Sequence, residues 1–89
     1  MRIETLYFAT LRNLTGLARE EVNLDEGAKL RHLLEYLFDV HGERFRNALD
    51  LGNSHAILVN GLHHETLQGM ETTLKHGDRV VFLPITMGG

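Results

Sequence analysis

The residue pair with the clearest capacity for chemistry is Gly88-Gly89, at the C-terminal end of an 89-residue sequence. Glycine has no Cβ, so such a pair can thread a narrow channel and leave its carboxylate open to a nucleophile from either side. At an average glycine usage near 7%, a terminal pair arises by chance in roughly one chain in 200. The expectation is that the Gly89 carboxylate is the functional group. The other ligand-type side chains are less promising. His63-His64-Glu65, with His55 across a predicted hairpin, resembles a metal set, but neighbouring strand residues point to opposite faces, so His63 and His64 do not converge on one ion. No metal is expected, and these residues, like His32 and His41, read as solvated surface. Glu20, Glu21 and Glu26 could form an acid/base pair only with a second group opposite them, and the sequence places none there, so they read as a solvated hairpin. Arg44 and Arg46 suit an acidic partner and a neighbouring carboxylate equally well.

The absence of cysteine removes disulfides, thiolate metal sites and a thiol nucleophile together. No Gly-x-x-x-x-Gly-Lys loop is present, so ATP, if used, must be held by another protein. Nine Lys/Arg against twelve Asp/Glu, without a basic cluster, argue against a nucleic-acid or anionic-lipid binder. Six histidines make the charge pH-sensitive, since full protonation would carry it from -3 to +3. No apolar run reaches the roughly 18 residues of a membrane span, and Met1-Arg2-Ile3-Glu4-Thr5 lacks a signal-type apolar segment, so a cytoplasmic protein without membrane contact is expected. A chain this short buries only about 60% of its unfolded surface, which leaves little room for a deep cavity.

The elements that must position the Gly-Gly pair can be read from periodicity. Arg2 to Leu11 alternates Ile3, Thr5, Tyr7, Ala9 and Leu11 with Glu4, Leu6, Phe8 and Thr10, which predicts a strand, followed by a turn over Arg12 to Gly16. Glu20 to Leu24 predicts its hairpin partner. Leu30, Leu33, Leu34, Leu37 and Phe38 form the stripe of one long amphipathic helix, stopped near Gly42 and poorly capped at Ala28 or Lys29. Phe45 to Leu51 reads as a helical turn. His55 to Val59 predicts a buried strand, Asn60-Gly61 a tight turn and Leu62 to Glu65 a short return strand. Loops over Leu67 to Met70 and Lys75 to Asp78 lead to a last strand, Arg79 to Leu83, ended by Pro84. Together they predict a single α+β domain over 1–89: a mixed sheet of four to five strands with the helix on one face and residues 85–89 as a flexible projecting tail.

One helix covers one face of such a sheet, yet the strands are apolar on both. The surplus, Phe8, Val81 and Leu83, predicts an exposed patch of the kind that binds a protein partner.

Leu6-Tyr7-Phe8-Ala9-Thr10-Leu11-Arg12-Asn13-Leu14-Thr15-Gly16, the Val59-Asn60-Gly61 hairpin, Leu74-Lys75-His76-Gly77-Asp78 and the ending Val81-Phe82-Leu83-Pro84 through Gly88-Gly89 resemble the MoaD/ThiS family of ubiquitin-like β-grasp sulfur carriers. The resemblance covers essentially the whole chain and is strongest to the molybdopterin synthase small subunit; archaeal ubiquitin-like modifiers share the pattern. It implies that a ubiquitin-activating-type adenylyltransferase joins Gly89 to AMP using ATP. Sulfur from a donor enzyme would then give a thiocarboxylate, which the synthase large subunit uses to build the pterin dithiolene. Carried over by position, Gly88 and Gly89 match the family's tail, and Phe8, Arg12, Val81 and Leu83 fall where partner contacts occur. Leu83 stands where Phe is frequent, Pro84-Ile85 where Pro-Pro is common, and Met87 where a small residue usually precedes Gly-Gly. By itself such a chain binds no cofactor and is not an enzyme. Two alternatives stand beside the molybdopterin reading: a protein modifier or carrier for thiamine, cysteine or tRNA thiolation, and a binding module whose Gly-Gly is incidental.

Overall fold

The computed structural model describes residues 1–51 and 53–85. Its elements in chain order are β1 (Arg2–Tyr7), α1 (Ala9–Thr15), β2 (Arg19–Asn23), α2 (Leu30–His41), α3 (Glu43–Ala48), β3 (His55–Val59), β4 (Leu62–His63) and β5 (Arg79–Pro84), with 3₁₀ turns at His64–Thr66 and Gly69–Glu71. The strands form one mixed sheet in the order β2-β1-β5-β3-β4. β1 and β5 run parallel at its centre, while the other pairs are antiparallel.

The period-2 pattern puts Ile3, Tyr7, Ile57, Val59, Val80 and Phe82 on the inner face, where they meet Leu30, Leu33, Leu34 and Leu37 of α2 and Phe45 of α3. Tyr7 stacks on Phe82 at 5.9 Å between centroids and meets Phe45 edge-on at 5.8 Å, so one aromatic cluster joins the two central strands to α3. No helix among the described residues is long and apolar enough to cross a membrane.

Several local readings are corrected. The first strand ends at Tyr7, not Leu11, and the expected turn at Arg12 to Gly16 is the end of a helix. The break lies at Ala9, whose φ of 49° takes the chain out of the strand path; Leu11 then reaches the core from a helix, fully buried. Gly16, at φ 75°, closes α1 by donating its N–H to the Arg12 carbonyl. The long helix runs on to His41, with Gly42 just beyond it as expected. Its weak start is relieved by His32, whose Nδ1 accepts the Lys29 N–H at 2.8 Å, so His32 is a half-buried cap and not a free surface residue.

The Asn60-Gly61 turn forms as read, with Asn60 at φ 52°. Asn60 Oδ1 accepts the Arg79 N–H at 2.9 Å, and its Nδ2 donates to Asp78 Oδ1 at 2.9 Å, tying the hairpin to the start of β5. The return strand stops after two residues because His64 turns into a 3₁₀ segment.

Candidate functional site

The outer face of the sheet, away from α2, is ordered by cross-strand register. One row crosses all five strands as Arg19, Leu6, Val81, Leu58 and His63. The next row toward the chain start is charged: Glu21, Glu4 and Arg79. There Glu4 accepts from Arg79 at 2.7 Å and lies 3.7 Å from Arg19. In the opposite direction Leu83 pairs with Ala56. Phe8 follows Tyr7, the partner of Phe82, and so reaches the same end of the sheet as Leu83. The face is therefore divided, with self-paired charges at one end and apolar side chains at the other.

The apolar end is the one from which the chain leaves. Phe8 and Leu83 are 41% and 40% exposed, large values for residues so near the core. Val81 and Leu6 are half-buried by their neighbours in the row. Arg12 is exposed on α1 and makes no ion pair among the described residues. Beyond Pro84, the Ile85 N–H donates to the Ser54 carbonyl at 2.8 Å, so the take-off of the chain is tied to the loop before β3. Gly88, Gly89 and Met87 lie outside the described residues.

A second set of titratable groups sits inside the domain. Tyr7 donates its hydroxyl to Glu20 Oε1 at 2.7 Å, and His41 Nε2 meets the same oxygen at 2.8 Å. Thr5 adds bonds to the Tyr7 hydroxyl and the Glu20 carbonyl. Burial, reinforced by Glu20, pushes the Tyr7 phenol above its usual range. This corrects the reading of Glu20 as a solvated hairpin residue without a partner, and of His41 as plain surface. Glu21 pairs loosely with Arg2, and Glu26 is exposed, as read.

His55, His63 and His64 also differ from a solvated surface. His55 is buried opposite Pro84, with Nδ1 2.7 Å from Ser54 Oγ, and burial pulls its imidazole below the usual value against the opposing pull of Asp50. It is not across the hairpin from His63, since β4 pairs only with Leu58 and Val59. His63 and His64 are not turned to opposite faces: because His64 has left the strand, their rings stack at 4.9 Å. No group of three or more metal-ligand side chains exists among the described residues. Arg46 lies over the Phe38 ring at 5.4 Å, a packing role that charge spacing alone does not reveal.

A five-stranded mixed sheet with the long helix on one face is the ubiquitin-like β-grasp, and solved structures of that fold match along nearly the full length. The small archaeal modifier protein 1 of Methanosarcina acetivorans superposes with a TM-score of 0.82 at 27% identity, over 99% of this chain and 96% of the other. A putative molybdopterin converting factor, subunit 1, of Pyrococcus furiosus matches at 32% identity and TM-score 0.78, over 93% of this chain and 95% of that one. The complex of subunits 1 and 2 of the molybdopterin-converting factor of Helicobacter pylori contains a chain at 20% identity and TM-score 0.64, each covering 100% of the other. No curated protein matches the sequence. The ThiS family model matches residues 5–89, and the chain belongs to the ThiS family. It is a ubiquitin-like sulfur-carrier-type protein.

Proposed function

We propose that this chain is the small, sulfur-carrying subunit of a molybdopterin synthase. The observation that carries the reading is its 32% identity, over nearly the whole of both chains, with a protein described as a putative molybdopterin converting factor, subunit 1.

A free carboxylate is a poor electrophile, so Gly89 must first be given a leaving group. A ubiquitin-activating-type adenylyltransferase joins its oxygen to the α-phosphorus of ATP and releases pyrophosphate. Sulfide-level sulfur delivered by a donor enzyme then attacks the acyl carbon, AMP departs and a thiocarboxylate remains. The large synthase subunit covers the apolar sheet end through Phe8, Arg12, Val81 and Leu83 and takes Gly88-Gly89 into its own active site. Both glycines suit this passage, because a Cβ would widen the segment and crowd the acyl carbon. The chain supplies no ATP site and binds no cofactor; it acts in the cytoplasm as a donor and not as a catalyst on its own.

The test is the intact mass after incubation with the activating enzyme, ATP and a sulfur donor. A shift equal to one oxygen replaced by sulfur, absent after deletion of Gly89, supports the carrier; no shift with an active enzyme control refutes it. A second reading, a modifier joined to lysines of other proteins, is favoured by the 27% identity with the small archaeal modifier protein. Gly89-dependent conjugates of higher mass in cell extract would select it.

A further inference from the structure

We propose that His63 is a specificity contact of the docking face, donating one hydrogen bond from Nε2 to an uncharged oxygen of the covering subunit and weakening the complex when it takes a second proton. The inference rests on the docking reading above and concerns a residue outside the Phe8, Arg12, Val81 and Leu83 set.

His63 pairs with Leu58, and Leu58 with Val81, so a surface laid over Val81 and Leu58 meets His63 one strand further on, about 5 Å away. β4 is an edge strand, so among the described residues no strand lies on its other side. His63 thus brings a polar atom to the border of an otherwise apolar row, where an interface changes from buried core to polar rim.

The ring is also fixed. Its Nδ1 accepts the Glu65 N–H at 3.2 Å, capping the 3₁₀ turn, so the neutral ring carries its proton on Nε2. One ring face stacks on His64, itself buried, with interplanar angle 20°. A second proton would have to go to Nδ1. It would remove the cap, place a cation against the His64 ring and carry charge into a desolvated contact. The charged groups nearest in the register are Arg79, one row away on β5, and Arg19, at the far end of the same row; neither is an anion that would compensate. Glu65, whose N–H makes that bond, carries an exposed carboxylate. Neutral His63 therefore suits a carbonyl, amide or hydroxyl oxygen on the partner.

The test is the affinity of the full chain for the synthase large subunit of the same organism, at about pH 7.5 and about pH 5.5. Wild type should bind roughly fivefold or more weakly at the lower pH, consistent with the loss of about one hydrogen bond. His63→Gln keeps a donor without titrating and should flatten that change. His63→Phe keeps the stack without a donor and should bind several-fold more weakly at the higher pH. Comparing variant with wild type cancels protonation of the partner and of the histidines that do not touch His63, and repeating the comparison in a His64→Phe background removes that of His64, which stacks on it. Parallel pH profiles for wild type and His63→Gln would overturn the proposal, as would tighter binding of wild type in acid, the sign of a carboxylate partner. If His63→Phe does not fold, the His63→Gln comparison still decides. No binding at either pH would overturn the docking reading itself, and this inference with it.

Discussion

The Tyr7 hydroxyl donates to Glu20 Oε1 at 2.7 Å, linking the last residue of β1 to the edge strand β2, and His41 at the end of α2 meets the same oxygen. One carboxylate thus joins the sheet to the helix at the end of the domain where Phe8 and α1 begin. Removing the phenol should leave that carboxylate short of a donor in a half-buried site. Tyr7→Phe is expected to lower stability by about 1–3 kcal/mol, read from urea denaturation.

The same relationship has an alkaline signature. Burial raises the Tyr7 phenol in the folded state, so the neutral phenol stabilises the fold fully below the unfolded value near 10, and that contribution is lost as pH rises above it. Wild type should therefore lose stability above about pH 10 more steeply than Tyr7→Phe. Equal slopes would show that Tyr7 ionises as freely in the folded chain as in the unfolded one.

The sheet, the long helix and the Asn60-Gly61 turn were legible because each rests on a local pattern: strict alternation, a 3.6-residue stripe, a turn dipeptide. Phe8 to Leu11 was misread for the same reason, since α1 has only two turns and its alternation continues that of β1 unbroken. A backbone reversal at Ala9, a residue with no special tolerance for positive φ, leaves no compositional trace. The Phe8, Val81 and Leu83 surplus was visible because an apolar residue on an uncovered face violates the pattern. The Glu20–Tyr7–His41 cluster was not, since it joins residues from three elements whose meeting depends on how β2 and α2 pack. His63 and His64 were separated by a strand rule that fails once the strand stops after two residues.

Ala9 offers a test of that reversal. An L side chain at φ 49° carries a left-handed penalty that glycine lacks. Ala9→Gly is expected to raise stability by about 0.5–1 kcal/mol in urea denaturation, and Ala9→Val to lower it. A stability loss in Ala9→Gly would mean that the Ala9 methyl makes a contact outweighing the strain.

His55 predicts the acid side of the stability curve. Burial favours its neutral form in the fold, so its contribution is present above the ordinary imidazole value near 6.5 and is lost as pH falls below it, because the unfolded chain then binds the extra proton. Asp50 opposes this and limits the size of the effect. Thermal melting of wild type should decline more steeply below about pH 6.5 than that of His55→Gln. Since His55 stands opposite Pro84 and Ser54 holds Ile85, acid should also loosen the exit of the chain from β5, seen as faster exchange of the Ile85 amide.

The docking surface itself is tested by truncation at its exposed end. Phe8 and Leu83 are the large apolar side chains that the sheet leaves uncovered beside the departing chain, and neither belongs to the buried core. Phe8→Ala combined with Leu83→Ala should therefore leave the fold intact by circular dichroism and hydrogen exchange. Loss of two central apolar anchors should weaken binding to the large subunit by roughly tenfold or more. Glu4→Ala, at the self-paired charged end of the same face, should change that affinity by much less, because exposed ion pairs contribute little. If the double variant binds as wild type does while Glu4→Ala binds poorly, the partner approaches from the charged end, and the tail must then cross the apolar end unaided.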